Sequence, residues 1–335
     1  MQYVKLPKEN LEAFVQNLKA YGRVYGPVKI GEFYSFQEIK NSNEMSLDYT
    51  RTMIPPKKFF LKLKERIFTF DEKKGEYEEI LEEGRIVVFG MHPCDINALK
   101  LMDKIYIDET PDKYYKMRRE NAVIIGYSCH PDEYCFCQSL GTNYATDGFD
   151  LFLHELKDGF FVRIGTDKGN TIASENSELI KNVEGSDIDE FREAERKREE
   201  DFTLELNIRG LTDMLTLAYE SEIWEEYADK CFSCGSCNLV CPTCRCYNVV
   251  DHVNLDLKSG ERVRELDSCM LRKHGLVAGG LNFRPTRIER LRNRFNCKGS
   301  LREDMLNCVG CGRCTVYCPS KIDYVEVLKK VRGEL

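Results

Sequence analysis

Long apolar runs are missing from this 335-residue chain. Ile86-Val87-Val88-Phe89-Gly90-Met91 is typical of the longest, far short of the roughly 20 residues that a membrane-spanning helix needs. The start, Met1-Gln2-Tyr3-Val4-Lys5-Leu6-Pro7, lacks the apolar core of a signal peptide. The end, Arg332-Gly333-Glu334-Leu335, carries no lipidation or retention signal. Histidine is scarce, with 5, and tryptophan occurs once. Positive charge is not in excess: the formal net charge is −7, which argues against general binding to nucleic acid or to a membrane surface. There is no Walker A run, no nucleophile elbow and no His-Glu-x2-His. Gly275-x3-Gly279-Gly280 does not fit a dinucleotide fingerprint. None of His92, His130, His154, His252 and His274 sits in a recognisable triad. The common routes to nucleotide, flavin and hydrolytic chemistry are therefore absent.

What is abundant is cysteine, at 16. A secreted disulfide scaffold is usually much shorter and begins with a leader. The expectation is a cytoplasmic protein whose thiols stay reduced, and there many cysteines mean metal or redox chemistry. With 42% hydrophobic and 31% charged residues, a buried core is available and global disorder is excluded.

Residues 1–185 read as an α/β domain. Leu11, Phe14, Val15 and Leu18 have the spacing of an amphipathic helix. Segments 86–90 and 122–126 are short β-branched runs, each a buried strand. The helical stretches 97–103 and 112–119 lie between them, so a parallel strand–helix–strand crossover is expected. Segments 150–156 and 160–164 flank Lys157-Asp158-Gly159 as a hairpin. From Asp187 to Asp201, twelve of fifteen residues are charged with both signs mixed, which reads as an exposed helix within a connector spanning 186–230. Residues 211–229 continue it as one helix. Residues 231–335 read as a mainly α-helical, ferredoxin-like domain with an insert at 243–307.

The chemistry sits in two runs of identical spacing, 77 residues apart: Cys231-x2-Cys234-x2-Cys237-x3-Cys241-Pro242 and Cys308-x2-Cys311-x2-Cys314-x3-Cys318-Pro319. This is the bacterial-ferredoxin pattern for [4Fe–4S] clusters. Three thiolates two residues apart wrap one cubane, and the fourth, next to proline, leaves to ligate the other. The expected sets are Cys231, Cys234, Cys237 and Cys318 for one cluster, and Cys308, Cys311, Cys314 and Cys241 for the second. Zinc would also accept four thiolates, but its sites use paired C-x2-C knuckles. The 66 residues between Cys241 and Cys308 far exceed the separation in compact ferredoxins, which makes cross-ligation less secure.

Eight cysteines remain. Cys94 follows the first buried strand, and Cys129, Cys135 and Cys137 follow the second. If these strands are parallel neighbours, both loops leave at the same carboxyl edge, where open α/β sheets place their ligands. A third [4Fe–4S] cluster on these four is the expectation; inert packing or a redox-active pair is the alternative. Cys244, Cys246, Cys269 and Cys297 form a further set in the insert with no diagnostic spacing, open to ligation or to a supporting role. The insert is basic, with ten Lys or Arg against four Asp or Glu over 261–298. Its arginines suit charge compensation of thiolate clusters, or an acidic partner, better than nucleic acid, since only Phe283 and Phe295 interleave them.

Met91-His92-Pro93-Cys94-Asp95, the loop from Cys129 to Cys137, Cys241-Pro242-Thr243-Cys244-Arg245-Cys246, Asp267-Ser268-Cys269 and Asn282-Phe283-Arg284-Pro285-Thr286-Arg287 together resemble the β subunit of cytoplasmic sulfhydrogenases, the soluble [NiFe] hydrogenases of hyperthermophilic archaea. The iron–sulfur dicluster component of anaerobic sulfite reductase is a more distant likeness. The resemblance runs over nearly the whole chain. Only four glutamines among abundant Lys and Glu suit a thermophile. The resemblance implies a non-catalytic electron-transfer subunit in a hetero-oligomer. It would relay electrons between a flavin-containing subunit that handles NAD(P)H and the hydrogenase large and small subunits, in a complex that also reduces sulfur or polysulfide. No nucleic acid or membrane is among the implied partners. The competing readings are the equivalent subunit of a sulfite or heterodisulfide-type reductase, a stand-alone sulfur-reducing enzyme, and a nucleic-acid-binding cluster protein.

Overall fold

The computed structural model describes every residue except 1, 82–83 and 303–304. Strand β1 (Gln2–Pro7) leads into α1 (Leu11–Leu18), whose Phe14, Val15 and Leu18 are buried as their spacing requires. Two hairpins follow: β2 (Arg23–Ile30) with β3 (Phe33–Glu38), and β4 (Lys64–Asp71) with β5 (Glu76–Glu79). Strand β6 (Ile86–Met91), helices α2 (Pro93–Asp103) and α3 (Lys113–Glu120), and strand β7 (Ala122–Tyr127) make the expected crossover; α2 begins four residues earlier than its apolar spacing suggests because Pro93 takes its first turn. Strands β8 (Leu151–Glu155) and β9 (Gly159–Ile164) form the hairpin over Lys157-Asp158, and helices α4 (Asp167–Glu175) and α5 (Gly185–Glu200) close this half.

Seven strands form one sheet in the order β1-β9-β8-β7-β6-β2-β3. The centre is parallel, β2 to β6 to β7 to β8, and both margins are antiparallel. β6 and β7 read as continuous apolar runs because both faces are covered. Alternate residues go to opposite sides. Val87, Phe89 and Ile125 pack with α1, while Val88, Met91 and Ile124 pack with Ile96, Leu99 and Tyr115 of α2 and α3. The charged helix α5 is more than a bare connector: Phe191 stacks on Phe161 at 4.5 Å, and Glu195 accepts from Arg198 and bonds His154 of β8.

The remaining helices and strands are α6 (Leu211–Leu217), α7 (Ile223–Lys230), α8 (Ser236–Leu239), strands β10 (Tyr247–Val253) and β11 (Ser259–Leu266), α9 (Arg287–Gly299), the short paired strands β12 (Leu301–Arg302) and β13 (Met305–Leu306), α10 (Arg313–Val316) and α11 (Tyr324–Val331). Two expectations are corrected. Residues 211–229 are two helices, because the Trp224 indole N–H donates to the Ala218 carbonyl at 2.6 Å and ends the first. Residues 231–335 are also not helical throughout, because the insert carries strands. Its first part is the β10–β11 hairpin, which pairs with β4 to make a four-stranded sheet, β10-β11-β4-β5. Buried Glu65 of β4 secures this joint, accepting from Arg264 of β11 at 2.7 Å and from Arg118 of α3; Arg264 also pairs with Asp112. Among the described residues no helix is long and apolar enough to cross a membrane.

Candidate metal centres

The two ferredoxin runs fold alike. In each, the residue after the second cysteine is a left-handed glycine, Gly235 at φ 82° and Gly312 at φ 70°, and each caps a one-turn helix, α8 or α10. Only glycine adopts this turn without strain. It swings the third cysteine, Cys237 or Cys314, back towards the first two.

The structure brings Cys231, Cys234, Cys237 and Cys318 around one opening, walled by Phe232, Met270, Leu291, Phe295 and Tyr324. Cys241 crosses to Cys308, Cys311 and Cys314 around a second, walled by Phe136, Val309 and Tyr324. Cys314 lines both. Backbone N–H groups of Ser233, Gly310 and Ile322 point at the sulfurs of Cys231, Cys308 and Cys318 at 3.3, 3.4 and 3.4 Å. Such hydrogen bonds stabilise sulfur-borne negative charge. Cys234 is exposed at the first opening, beside Phe232, which is 69% exposed.

The expected third set also gathers. Cys94 lies in the first turn of α2; Cys129, Cys135 and Cys137 lie on the loop after β7, at the same sheet edge. Cys94, Cys135 and Cys137 pack together with Phe202, and Cys129 faces Cys135 and Cys137. Arg51 donates to the Cys135 sulfur at 3.1 Å, and Arg198 faces Cys129. This loop is interlocked with the second run. Phe136 N–H donates to the Gly310 carbonyl at 2.9 Å, and a Cβ on Gly312 would lie 2.5 Å from the Tyr134 carbonyl oxygen. Cys94 and Cys137 both face Cys311.

Sequence reasoning misses the ion pair that joins these loops. Asp95, next to Cys94, takes a two-pronged bond at 2.8 Å from Arg313, next to Cys314, and both side chains are fully buried. Arg313 Nε also donates to the Thr52 carbonyl. Neither residue stands in a motif of its own, so nothing in one sequence pairs them. His92 is buried and stacked on Tyr49 at 4.0 Å, and burial lowers its imidazole to about 3, so it stays neutral.

Buried cations surround the cysteines. Lys57, Arg294 and Lys298 are 3%, 4% and 1% exposed. Among the described residues none of the three pairs with a carboxylate; they donate to carbonyls of Cys241, Cys244, Cys237 and Thr243. They face cysteine sulfurs and one another. A buried cation without a counter-charge is costly, so this interior is built for a negative group. Two further arginines of α9 reach the first cysteine run: Arg287 donates to the Cys231 carbonyl, and Arg290 to Ser233 Oγ.

Burial pushes most of these thiols up, Cys237 to about 11 and Cys129 and Cys308 to about 12. Cys241 goes the other way, held down by the bond from the Cys244 thiol and by Lys298, Arg294 and Lys57. All sixteen cysteines are free of disulfides. Among the described residues no three His, Cys, Asp or Glu side chains close up on a single ion; the sulfurs of the two ferredoxin runs stand around openings instead. Soft donors ringing an apolar-walled space with buried cations behind fit an iron–sulfur cluster.

A family model described as a 4Fe-4S dicluster domain matches residues 230–322. The chain is 50% identical over 336 aligned positions to the sulfhydrogenase 2 subunit beta of Pyrococcus furiosus, covering 100% of both chains. No solved structure matches it.

Proposed function

Because this chain belongs to the sulfhydrogenase β-subunit family, we propose that it is the electron relay of such a complex, with no catalytic site of its own. The observation that carries this reading is contiguity. Cys94 and Cys137 face Cys311, Cys311 shares an opening with Cys314, and Cys314 lines the opening of Cys231, Cys234, Cys237 and Cys318. Clusters held at these three sets supply one-electron redox capacity. The eight ferredoxin cysteines hold two [4Fe–4S] clusters, with Cys241 and Cys318 exchanged between runs. Cys94, Cys129, Cys135 and Cys137 hold a third.

The chain's own residues do the rest. Lys57, Arg294, Lys298, Arg51 and Arg198 offset the added negative charge. Phe136, Phe295 and Tyr324 keep water from the sulfurs. Exposed Cys234 and Phe232 mark the end at which a redox partner approaches. The partners are the hydrogenase large and small subunits and a flavin subunit that handles NAD(P)H, assembled in the cytoplasm.

Iron and acid-labile sulfide, measured per chain on protein purified without oxygen, test the cofactor assignment. Two clusters require about eight of each and three require about twelve; Cys129→Ser/Cys137→Ser removes about four of each if the third set ligates. The chain alone, chemically reduced, passes electrons to an acceptor but shows no H2- or NAD(P)H-dependent dye reduction. H2-dependent turnover by the chain alone would overturn the relay reading.

A further inference from the structure

Four cysteines take no part in the sites above: Cys244, Cys246, Cys269 and Cys297. They come from three places, the loop after the first ferredoxin run, the loop after β11 and the last turns of α9, up to 53 residues apart in sequence. The fold nevertheless brings all four to the wall of one cavity of about 230 Å³. Cys246 and Cys269 are hydrogen-bonded, and Cys297 faces Cys246. The Asn238 amide touches the sulfurs of Cys244 and Cys269 at 3.5 and 3.3 Å.

The charge around this cavity is as one-sided as at the ferredoxin openings. Arg294 and Lys298 line it; both are buried without a carboxylate partner, and Arg294 reaches the Cys244 sulfur at 3.6 Å. Arg284 also lines it, with a buried Nε that has no hydrogen-bond partner. Four soft donors and four cations, Arg245 with Arg284, Arg294 and Lys298, around a space far larger than one water call for an anionic, thiophilic occupant. A zinc ion would draw four thiolates to about 2.3 Å and leave no such space, and no set of three ligating side chains among the described residues is closed on a single ion.

We propose that Cys244, Cys246, Cys269 and Cys297 bind a further [4Fe–4S] cluster, a branch that meets the first ferredoxin site across Asn238. Cys237, a ligand at that site, bonds the Asn238 side-chain oxygen at 3.4 Å, while the same amide's nitrogen touches Cys244 and Cys269. Cys246 and Cys297 are half-buried, so the branch lies close to the surface. Its part in electron flow rests on the relay reading; its occupancy does not.

The test uses the full chain purified without oxygen, and counts iron, acid-labile sulfide and zinc in the wild type, in Cys269→Ser/Cys297→Ser and in Cys129→Ser/Cys137→Ser. The expected wild-type content is about sixteen irons. The first variant should lose about four irons and four sulfides, together with one component of the reduced protein's paramagnetic-resonance spectrum, and keep the other components. A wild-type content of twelve or fewer irons, with four of them lost in the Cys129/Cys137 variant, overturns the proposal even if the Cys269/Cys297 variant does not fold. So does zinc, at about one per chain, lost from the Cys269/Cys297 variant. If instead the Cys129/Cys137 variant keeps all its iron while the Cys269/Cys297 variant loses four, the third-cluster assignment fails and this one stands.

Discussion

Gly235 and Gly312 occupy equivalent places in the two cluster runs, yet they are not equally replaceable. An alanine at either must adopt a left-handed backbone, at roughly 1–2 kcal/mol. At 235 the new methyl meets the Ser268 side-chain oxygen at 3.0 Å, which can rotate away; at 312 it meets the Tyr134 carbonyl oxygen at 2.5 Å, which cannot. Gly312→Ala is therefore expected to lower the melting temperature and iron content more than Gly235→Ala, as heat-denaturation curves and iron assays on the two variants would show. Asp95→Asn tests the buried ion pair at the same scale. It leaves Arg313 charged and uncompensated, for which the expected cost is about 3–5 kcal/mol, read from denaturant unfolding. A loss under about 1 kcal/mol would mean that Arg313 draws its counter-charge from the neighbouring sulfurs instead.

At the scale of elements, α9 joins the sites together. Its capping box, Thr286 with Glu289, fixes where the helix begins, and from there Arg287, Arg290, Arg294 and Lys298 recur on one face and reach the cluster loops. Thr286→Ala should cost about 1 kcal/mol and leave metal content unchanged. Arg294→Met should spare the helix but lower the iron retained, because Cys241, Cys244 and Cys237 lose the cation they face; iron assays after gel filtration separate the two effects. Part of this is legible in the sequence. Local spacing predicts α1, the β6–β7 crossover and the hairpin at Asp158, because each follows from a short apolar period. The repeated C-x2-C-x2-C groups the three cysteines that each run brings to one opening, because that geometry is local, and the following Cys-Pro marks the one that crosses to the other opening. What depends on distant partners is illegible. Arg264 meets Glu65 199 positions away, and Arg313 meets Asp95 218 away, and no local pattern marks either pair. The β10–β11 hairpin goes unread for the same reason: its place in a four-stranded sheet depends on pairing with the distant β4.

For the whole molecule, proton linkage gives opposite pH dependences with and without metal. In the metal-free fold, burial raises Cys237, Cys129 and Cys308 from an ordinary value near 9 to about 11 or 12. The folded chain then holds protons that the unfolded chain gives up first. Stability from these thiols is complete below pH 9 and is lost as pH climbs from 9 towards 12. Cluster binding needs the thiolates and so releases protons, becoming tighter as pH rises. Urea melts of metal-free protein from neutral to strongly alkaline pH, set beside proton-release calorimetry during reconstitution, should show the two slopes with opposite sign. The pairing of β4 with β11 also has a meaning for synthesis. When β4 leaves the ribosome, its partner strand is nearly 190 residues away. At about 5–20 residues per second, one edge of that hairpin waits roughly ten to forty seconds for residues 259–266. The second cluster run follows only then. A nascent chain that stalls or breaks before this point displays a naked strand edge, a mark by which a chaperone or protease can sort it before either ferredoxin opening is complete.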